Sequence, residues 1–71
     1  MFKVSAVTTT TTYHILSDSE LSVTEVESFV YDSVLKGVCY KGYNIDVVDI
    51  DTCFVDGVEY NKYTVVVDIR Y

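Results

Sequence analysis

The sequence predicts an α+β fold in which a curved, three-stranded, mainly antiparallel sheet packs on one helix. Three observations lead to this prediction. Both ends of the chain are rich in β-branched and aromatic residues. Apolar residues recur at three- and four-residue steps in the middle of the chain. Asp56-Gly57 is a two-residue hairpin signal. A chain of 71 residues is short enough that we expect a single domain over residues 1–71.

The first strand is predicted at the start of the chain. Phe2, Val4 and Ala6 alternate with polar residues, so the even positions are expected to face the core. The threonine run Thr8–Thr12 suits a strand because side chains branched at Cβ fit a pleated surface, and a polar loop is the alternative. Since Tyr13 is at an odd position, either a bulge exchanges the two faces or the strand ends in this run.

The helix is predicted between Leu21 and Gly37. Ser22 and Glu25 have the spacing of a capping box, and Gly37 supplies the left-handed residue that ends a helix. The three- and four-residue spacing assigns one apolar face, which consists of Val23, Val26, Phe29, Val30 and Val34.

The hairpin fixes the register of the last two strands. A type I′ turn at Asp56-Gly57 pairs Val55 with Val58, and the apolar pairs that follow are Ile50 with Tyr63 and Val48 with Val65. If the same register continued toward the start of the second strand, the side chain of Val47 would point to solvent. We therefore predict a bulge near Val47-Val48. The pairs expected beyond the bulge are Val47 with Val67, Ile45 with Ile69 and Tyr43 with Tyr71.

The order of elements, β-α-β-β, limits the topology. A crossover through the helix makes the first and second strands parallel, and the third can lie antiparallel between them. We therefore expect the spatial order 1-3-2.

Composition restricts the function and location of the protein. Eleven acidic against five basic residues give a net charge of −6, which disfavours nucleic-acid and anionic-membrane binding and favours a basic protein surface. The start of the chain lacks the apolar core of a signal peptide, and no apolar run approaches the ~20 residues of a membrane span. Two cysteines are fewer than a small secreted scaffold usually carries. We expect a soluble cytoplasmic protein, in the host cytoplasm if the chain is viral.

Four aspartates are the main candidate binding residues. In the predicted register Asp49 and Asp51 point to solvent, Lys62 lies opposite Asp51, and Asp46 lies opposite Asp68. They could be oxygen ligands of Mg²⁺ or Ca²⁺, but no metal-binding loop accompanies them. Their two-residue repeat of about 7 Å resembles the spacing of DNA phosphates, so they could present phosphate-like charge. A solvated strand face is the simplest alternative.

Tyrosine and cysteine side chains supply the other candidates. Tyr31 and Tyr60 are expected at exposed positions, where aromatic rings are typical of protein interfaces. His14 with Cys39 and Cys53 would lack the fourth ligand and the paired spacing of a zinc site. We expect no metal, no cofactor and no catalytic residues.

The sequence therefore favours a small, acidic, non-enzymatic interaction module that binds a basic protein through Asp46, Asp49, Asp51, Asp68, Tyr31 and Tyr60. In type, a short, acidic, one-domain chain also resembles bacteriophage-encoded inhibitors of host or defence proteins. Under this hypothesis, the acidic face would imitate DNA and occupy the groove of a nucleic-acid-binding protein. The alternative is a structural subunit that forms a homodimer by pairing of edge strands. A metal-dependent regulator is the third hypothesis.

Overall fold

The computed structural model describes all 71 residues. Strand β1 is Thr8–Ser17, helix α1 is Val23–Val30 and continues into a π-helical turn at Tyr31–Leu35, strand β2 is Gly42–Val55, and strand β3 is Val58–Arg70. β3 lies between the other two strands, in the order β1-β3-β2, and pairs antiparallel with both. β1 and β2 are therefore parallel to each other. The α+β class and the predicted strand order are confirmed.

β1 begins later than the sequence pattern predicted. Residues 1–7 lie outside the sheet, and the side chains of Phe2 and Val4 are 104% and 79% exposed. The reason is the length of β3: its last residue, Arg70, already pairs with Thr8, so residues further back have no strand beside them. The threonine run is a strand, and its odd positions share a face with the buried residues of β3. The prediction that Phe2 and Val4 face the core was wrong.

The start of α1 follows the prediction. The backbone N–H of Glu25 donates to Ser22 Oγ at 3.2 Å, and the Ser22 hydroxyl donates to the Glu25 carboxylate at 3.2 Å. Of the free N–H groups of the first turn, that of Glu25 is thereby satisfied, while the Glu25 carboxylate bonds the Ser22 hydroxyl and not a backbone N–H. Gly37 has a φ of +83°, as the helix end requires.

The apolar face of the helix differs from the predicted one. The buried residues are Val26, Val30 and Leu35, whereas Val23 and Phe29 are half or more exposed. The π-helical turn accounts for Leu35, because a wider turn brings a residue five positions after Val30 over the sheet. A regular 3.6-residue period would have selected Val34, which is half-buried.

The hairpin and the bulge are confirmed, but the pairing beyond the bulge was wrong. Asp56 and Gly57 both have positive φ, as a type I′ turn requires. The register shifts between Val47 and Asp49, so the extra residue is Val48 on β2. The predicted pairs, Val48 with Val65 and Val47 with Val67, would instead require the extra residue to be on β3. The pairs found beyond the bulge are Val47 with Val65, Ile45 with Val67 and Tyr43 with Ile69.

The core is small and lies between α1 and one face of the sheet. Its seven buried residues are Val26, Val30, Leu35, Tyr63, Val65, Val67 and Ile69. The Tyr63 hydroxyl accepts a hydrogen bond from the Leu21 N–H at 2.8 Å and donates to the Leu21 carbonyl at 3.4 Å, which ties the sheet to the start of the helix. Ile50 lies directly opposite Tyr63 but is 57% exposed, so the core stops at this point of the hairpin.

The molecule is elongated, because the hairpin strands β2 and β3 are 14 and 13 residues long and their tip extends beyond β1. The last residue of β1, Ser17, pairs with Asn61, so the segment from Cys53 to Tyr60 is two-stranded. The molecule measures 57 × 20 × 18 Å and has a radius of gyration of 15.0 Å. A compact domain of this length has a radius of about 11 Å. Much of the chain therefore lies outside any core.

Candidate protein-interaction surface

The face of the sheet turned away from α1 carries all four aspartates that the sequence singled out. Residues directly opposite each other in an antiparallel pair share a face. The even-numbered residues of β3 alternate with the buried Tyr63, Val65 and Val67, so they and their partners form this second face. Asp46, Asp49 and Asp51 are partners of even-numbered residues, and Asp68 is itself one of them. We call this surface the open face.

The bulge is what brings the three β2 aspartates to one face. Asp46 and Asp49 are three positions apart, and in a regular strand they would point to opposite sides. The extra residue Val48 between them restores the alternation, so that Asp46 lies opposite Val66 and Asp49 lies opposite Thr64. All three side chains are exposed. They form an acidic row along β2, which is an edge strand.

The neighbours of the aspartates differ from those predicted in one respect. Asp51 lies opposite Lys62, as expected. Asp68 lies opposite Asn44 and not Asp46, because the extra residue is on β2. On its other side, Asp68 accepts a hydrogen bond of 2.6 Å from the Thr10 hydroxyl. The repulsive pair that we expected between Asp46 and Asp68 is absent from the register.

The open face is acidic but contains some positive charge. Its strand positions carry the four carboxylates, together with Lys62 and Arg70. Lys62 is the cross-strand neighbour of Asp51, so Asp46 and Asp49 are the two β2 aspartates with no base directly opposite. These two carboxylates are the least compensated charges of the row.

The two tyrosines proposed as anchors lie on different surfaces. Tyr60 pairs with Cys53 and belongs to the open face, where it is half-buried. Tyr31 lies at the end of α1 on the other side of the sheet, and its hydroxyl is 3.0 Å from that of Tyr40. The structure therefore groups Tyr60, but not Tyr31, with the aspartates.

Tyr31 belongs to a cluster of three rings that the sequence did not reveal. The Tyr43 ring lies 5.5 Å from that of Tyr31 and 5.3 Å from that of Tyr40, between centroids. The hydrogen bond with Tyr31, together with desolvation, raises the pKa of Tyr40 to about 12. These tyrosines are separated by up to twelve positions and show no common periodicity, so only tertiary packing could identify the cluster.

An open groove of about 620 Å³ runs beside this cluster, between α1 and β2. Tyr31 and Tyr43 line it together with Glu27 and Asp32 from the helix and Asn44 and Ile45 from β2. It is a second acidic and aromatic surface, between the helix and the β2 edge and separate from the aspartate row.

The structure positions no metal centre. No group of three or more His, Cys, Asp or Glu side chains is placed to hold a metal ion. His14 pairs with Thr64, and its Nδ1 lies 3.4 Å from the threonine hydroxyl. Cys39 lies in the loop after the helix and Cys53 on the hairpin, and both are free thiols.

Comparison with protein-family models, with curated proteins and with solved structures gives no match for this chain. None of its helices has the length and apolar character needed to cross a membrane.

Proposed function

We propose that the protein is a non-enzymatic interaction module whose open face binds a basic protein surface. The observation that carries the proposal is the acidic row: the bulge at Val48 places Asp46, Asp49 and Asp51 side by side on the exposed face of an edge strand. With a net charge of −6, the chain attracts basic partners over a distance and repels nucleic acid and anionic membranes.

In its most specific form, the proposal is that the partner is a nucleic-acid-binding protein, inhibited by a DNA-like array of charge. The carboxylates of Asp49 and Asp51 repeat at about 7 Å along the strand, which is close to the spacing of phosphates on a DNA strand. A groove that binds phosphates with Lys and Arg could accept such a row. Inhibitors encoded by bacteriophages, which act on host or defence proteins, are the biological class that this form of the proposal suggests.

The test is an NMR titration of the labelled protein with an arginine-rich peptide at low salt. We expect the amide shifts to cluster around the acidic row, at Asp46, Asp49 and the neighbouring Thr64 and Val66, and to disappear at high salt. Shifts confined to the groove that contains Glu27 and Asp32 would contradict the assignment to the open face.

A charge-matched pair of variants separates the acidic row from general electrostatics. Asp46→Asn with Asp49→Asn removes the two least compensated charges, and we expect the affinity for the peptide to fall several-fold. Asp18→Asn with Glu20→Gln changes the net charge equally in the loop between β1 and α1. If the two double variants weaken binding to the same extent, the acidic row is not the binding surface.

A further inference from the structure

The two edges of the sheet differ in how they are protected against pairing with another strand. On β2 the bulge at Val48 interrupts the edge, and three aspartates line it. In addition, the Asp51 carboxylate accepts a hydrogen bond of 2.7 Å from the backbone N–H of Thr52. Bulges and charged side chains are the features with which natural sheets prevent contact at an edge. The β2 edge is therefore blocked.

The β1 edge has none of these features. Thr8–Ser17 contains no charged residue, proline, glycine or bulge over ten residues. The Tyr71 N–H donates to the Val7 carbonyl at 2.9 Å, which shows that the odd-numbered residues direct their backbone groups toward β3. The even-numbered residues, Thr8 through Leu16, consequently direct their N–H and C=O groups outward. This is a long, uncharged edge available for pairing.

An exposed aromatic side chain lies beside this edge. The groove with Glu27 and Tyr31 marks the side of α1 that faces β2. At 100° per residue, Phe29 lies on the opposite flank of the helix, on the side of β1. Its side chain is 55% exposed, and Thr9 and Thr11, the β1 residues opposite the buried Ile69 and Val67, are exposed as well. The helix side of β1 is thus incompletely covered.

The total surface is large enough to contain a dimer interface. The chain exposes 5301 Å², whereas a folded monomer of 8.0 kDa exposes about 4450 Å². Part of this excess belongs to residues 1–7 and to the hairpin tip, which lie outside the core. An interface of standard size buries ~800 Å² on each partner. A second copy that pairs with β1 and covers Phe29 would bury surface there without bringing the acidic rows together.

We propose that two copies of the chain pair antiparallel through β1, about a two-fold axis perpendicular to the sheet. An antiparallel pair of identical strands is self-complementary, so the contact closes as a dimer. The six strands then run β2-β3-β1 in one copy and β1-β3-β2 in the other, with both helices on the same side. Because both outer edges are the blocked β2 edges, assembly stops at two copies.

The dimer does not depend on the proposed function, since the two use opposite edges of the sheet. It does have a consequence for partner binding. The two acidic rows would lie at the outer edges of one continuous open face, roughly 24 Å apart for five strand spacings of ~4.8 Å. A basic partner with two sites at that distance could contact both copies.

The first test is light scattering with residue-resolved amide exchange on the unmodified chain. We expect a concentration-dependent dimer in which the amides of Thr10, Thr12 and His14 exchange at least about tenfold more slowly than in the dilute protein. A monomer at millimolar concentration would overturn the proposal. The β1 edge would then be available only for pairing with a strand of a different protein. A dimer in which these three amides stay unprotected would also overturn the proposal.

The second test compares proline on the two edges. Thr12→Pro removes an outward N–H of β1, and we expect the dimer dissociation constant to rise by about tenfold or more, since one hydrogen bond is lost per copy. Thr52→Pro is the matched control, because the Thr52 N–H bonds only to the adjacent Asp51 side chain. We expect the control to stay within about twofold of the unmodified chain. Equal effects, with circular dichroism showing both variants folded, would overturn the assignment to β1. If Thr12→Pro does not fold, the exchange pattern of the unmodified chain decides.

Discussion

Tyr63 connects the sheet to the start of the helix through its buried hydroxyl group. Since this group bonds both the N–H and the carbonyl of Leu21, Tyr63→Phe leaves two partly buried backbone groups with one partner fewer. We expect the free energy of unfolding to fall by about 1–2 kcal/mol in urea titrations. Tyr60→Phe, on the open face, is the control and should change it by less than about 0.5 kcal/mol. Equal losses would mean that the Leu21 contact does not stabilise the fold.

Tyr40 gives the fold a specific dependence on alkaline pH. Its pKa is about 12 in the folded chain against an ordinary 10.0, because its hydroxyl is hydrogen-bonded to Tyr31. The folded state therefore holds this proton more tightly than the unfolded state. The resulting stability is fully present below pH 10 and is lost as the pH rises from about 10 to about 12.

Absorbance titration of the phenolates checks this prediction. One of the seven tyrosines, Tyr40, should ionise at a clearly higher pH than an ordinary tyrosine. The variant Tyr31→Phe should bring the pKa of Tyr40 back toward 10. Tyr60→Phe should leave the late ionisation in place. A late ionisation that persists unchanged in the Tyr31 variant would exclude the hydrogen bond as its cause.

At the level of the elements, the bulge determines which side chains share the open face. Deleting Val48 would leave a regular strand in which all of the present pairs between β2 and β3 are kept. Because Val48 is 53% exposed, we expect a folded protein whose unfolding free energy is within about 1 kcal/mol of the original and whose three aspartates still share a face.

Deletion of Ile50 is the informative control for the bulge. This deletion also allows β2 to pair with β3 without a bulge, but only if Asp49 moves into the position opposite Tyr63, on the helix side. We expect this variant to be clearly less stable than the Val48 deletion and to bind a basic peptide more weakly. Equal stability and equal binding in the two deletions would show that the bulge does not set the faces.

At the scale of the whole molecule, the net charge predicts opposite effects of salt on the two proposed interactions. Two copies of charge −6 repel each other, so added salt should strengthen the β1 dimer by screening that repulsion. The same salt should weaken binding to a basic peptide. Sedimentation and peptide titration at low and high ionic strength test both. If salt shifts both equilibria in one direction, charge does not govern them as proposed.

Much of the fold could be predicted because its signals are local. The Ser22 cap, the Gly37 end of the helix and the Asp56-Gly57 turn each depend on a few neighbouring residues, and all three are found. The turn also fixed the pairing from Val55 back to Ile50. The errors concern Phe2, the apolar face of the helix and the residue pairs beyond the bulge. They arose where the outcome depends on how far a distant strand extends, on a π-helical turn that changes the helical period, or on which of two strands holds an extra residue.

The sequence by itself determined the class of the fold, the strand order and the acidic character of the protein. These follow from periodicity, turn residues and composition, which are properties of short stretches of chain. Only the tertiary structure decided that Val48 is the extra residue, that Leu35 completes the core, and that Tyr31 meets Tyr40 and Tyr43. It also showed that β1 is an open edge while β2 is blocked. Such features depend on contacts between segments far apart in the chain, and no local pattern specifies them.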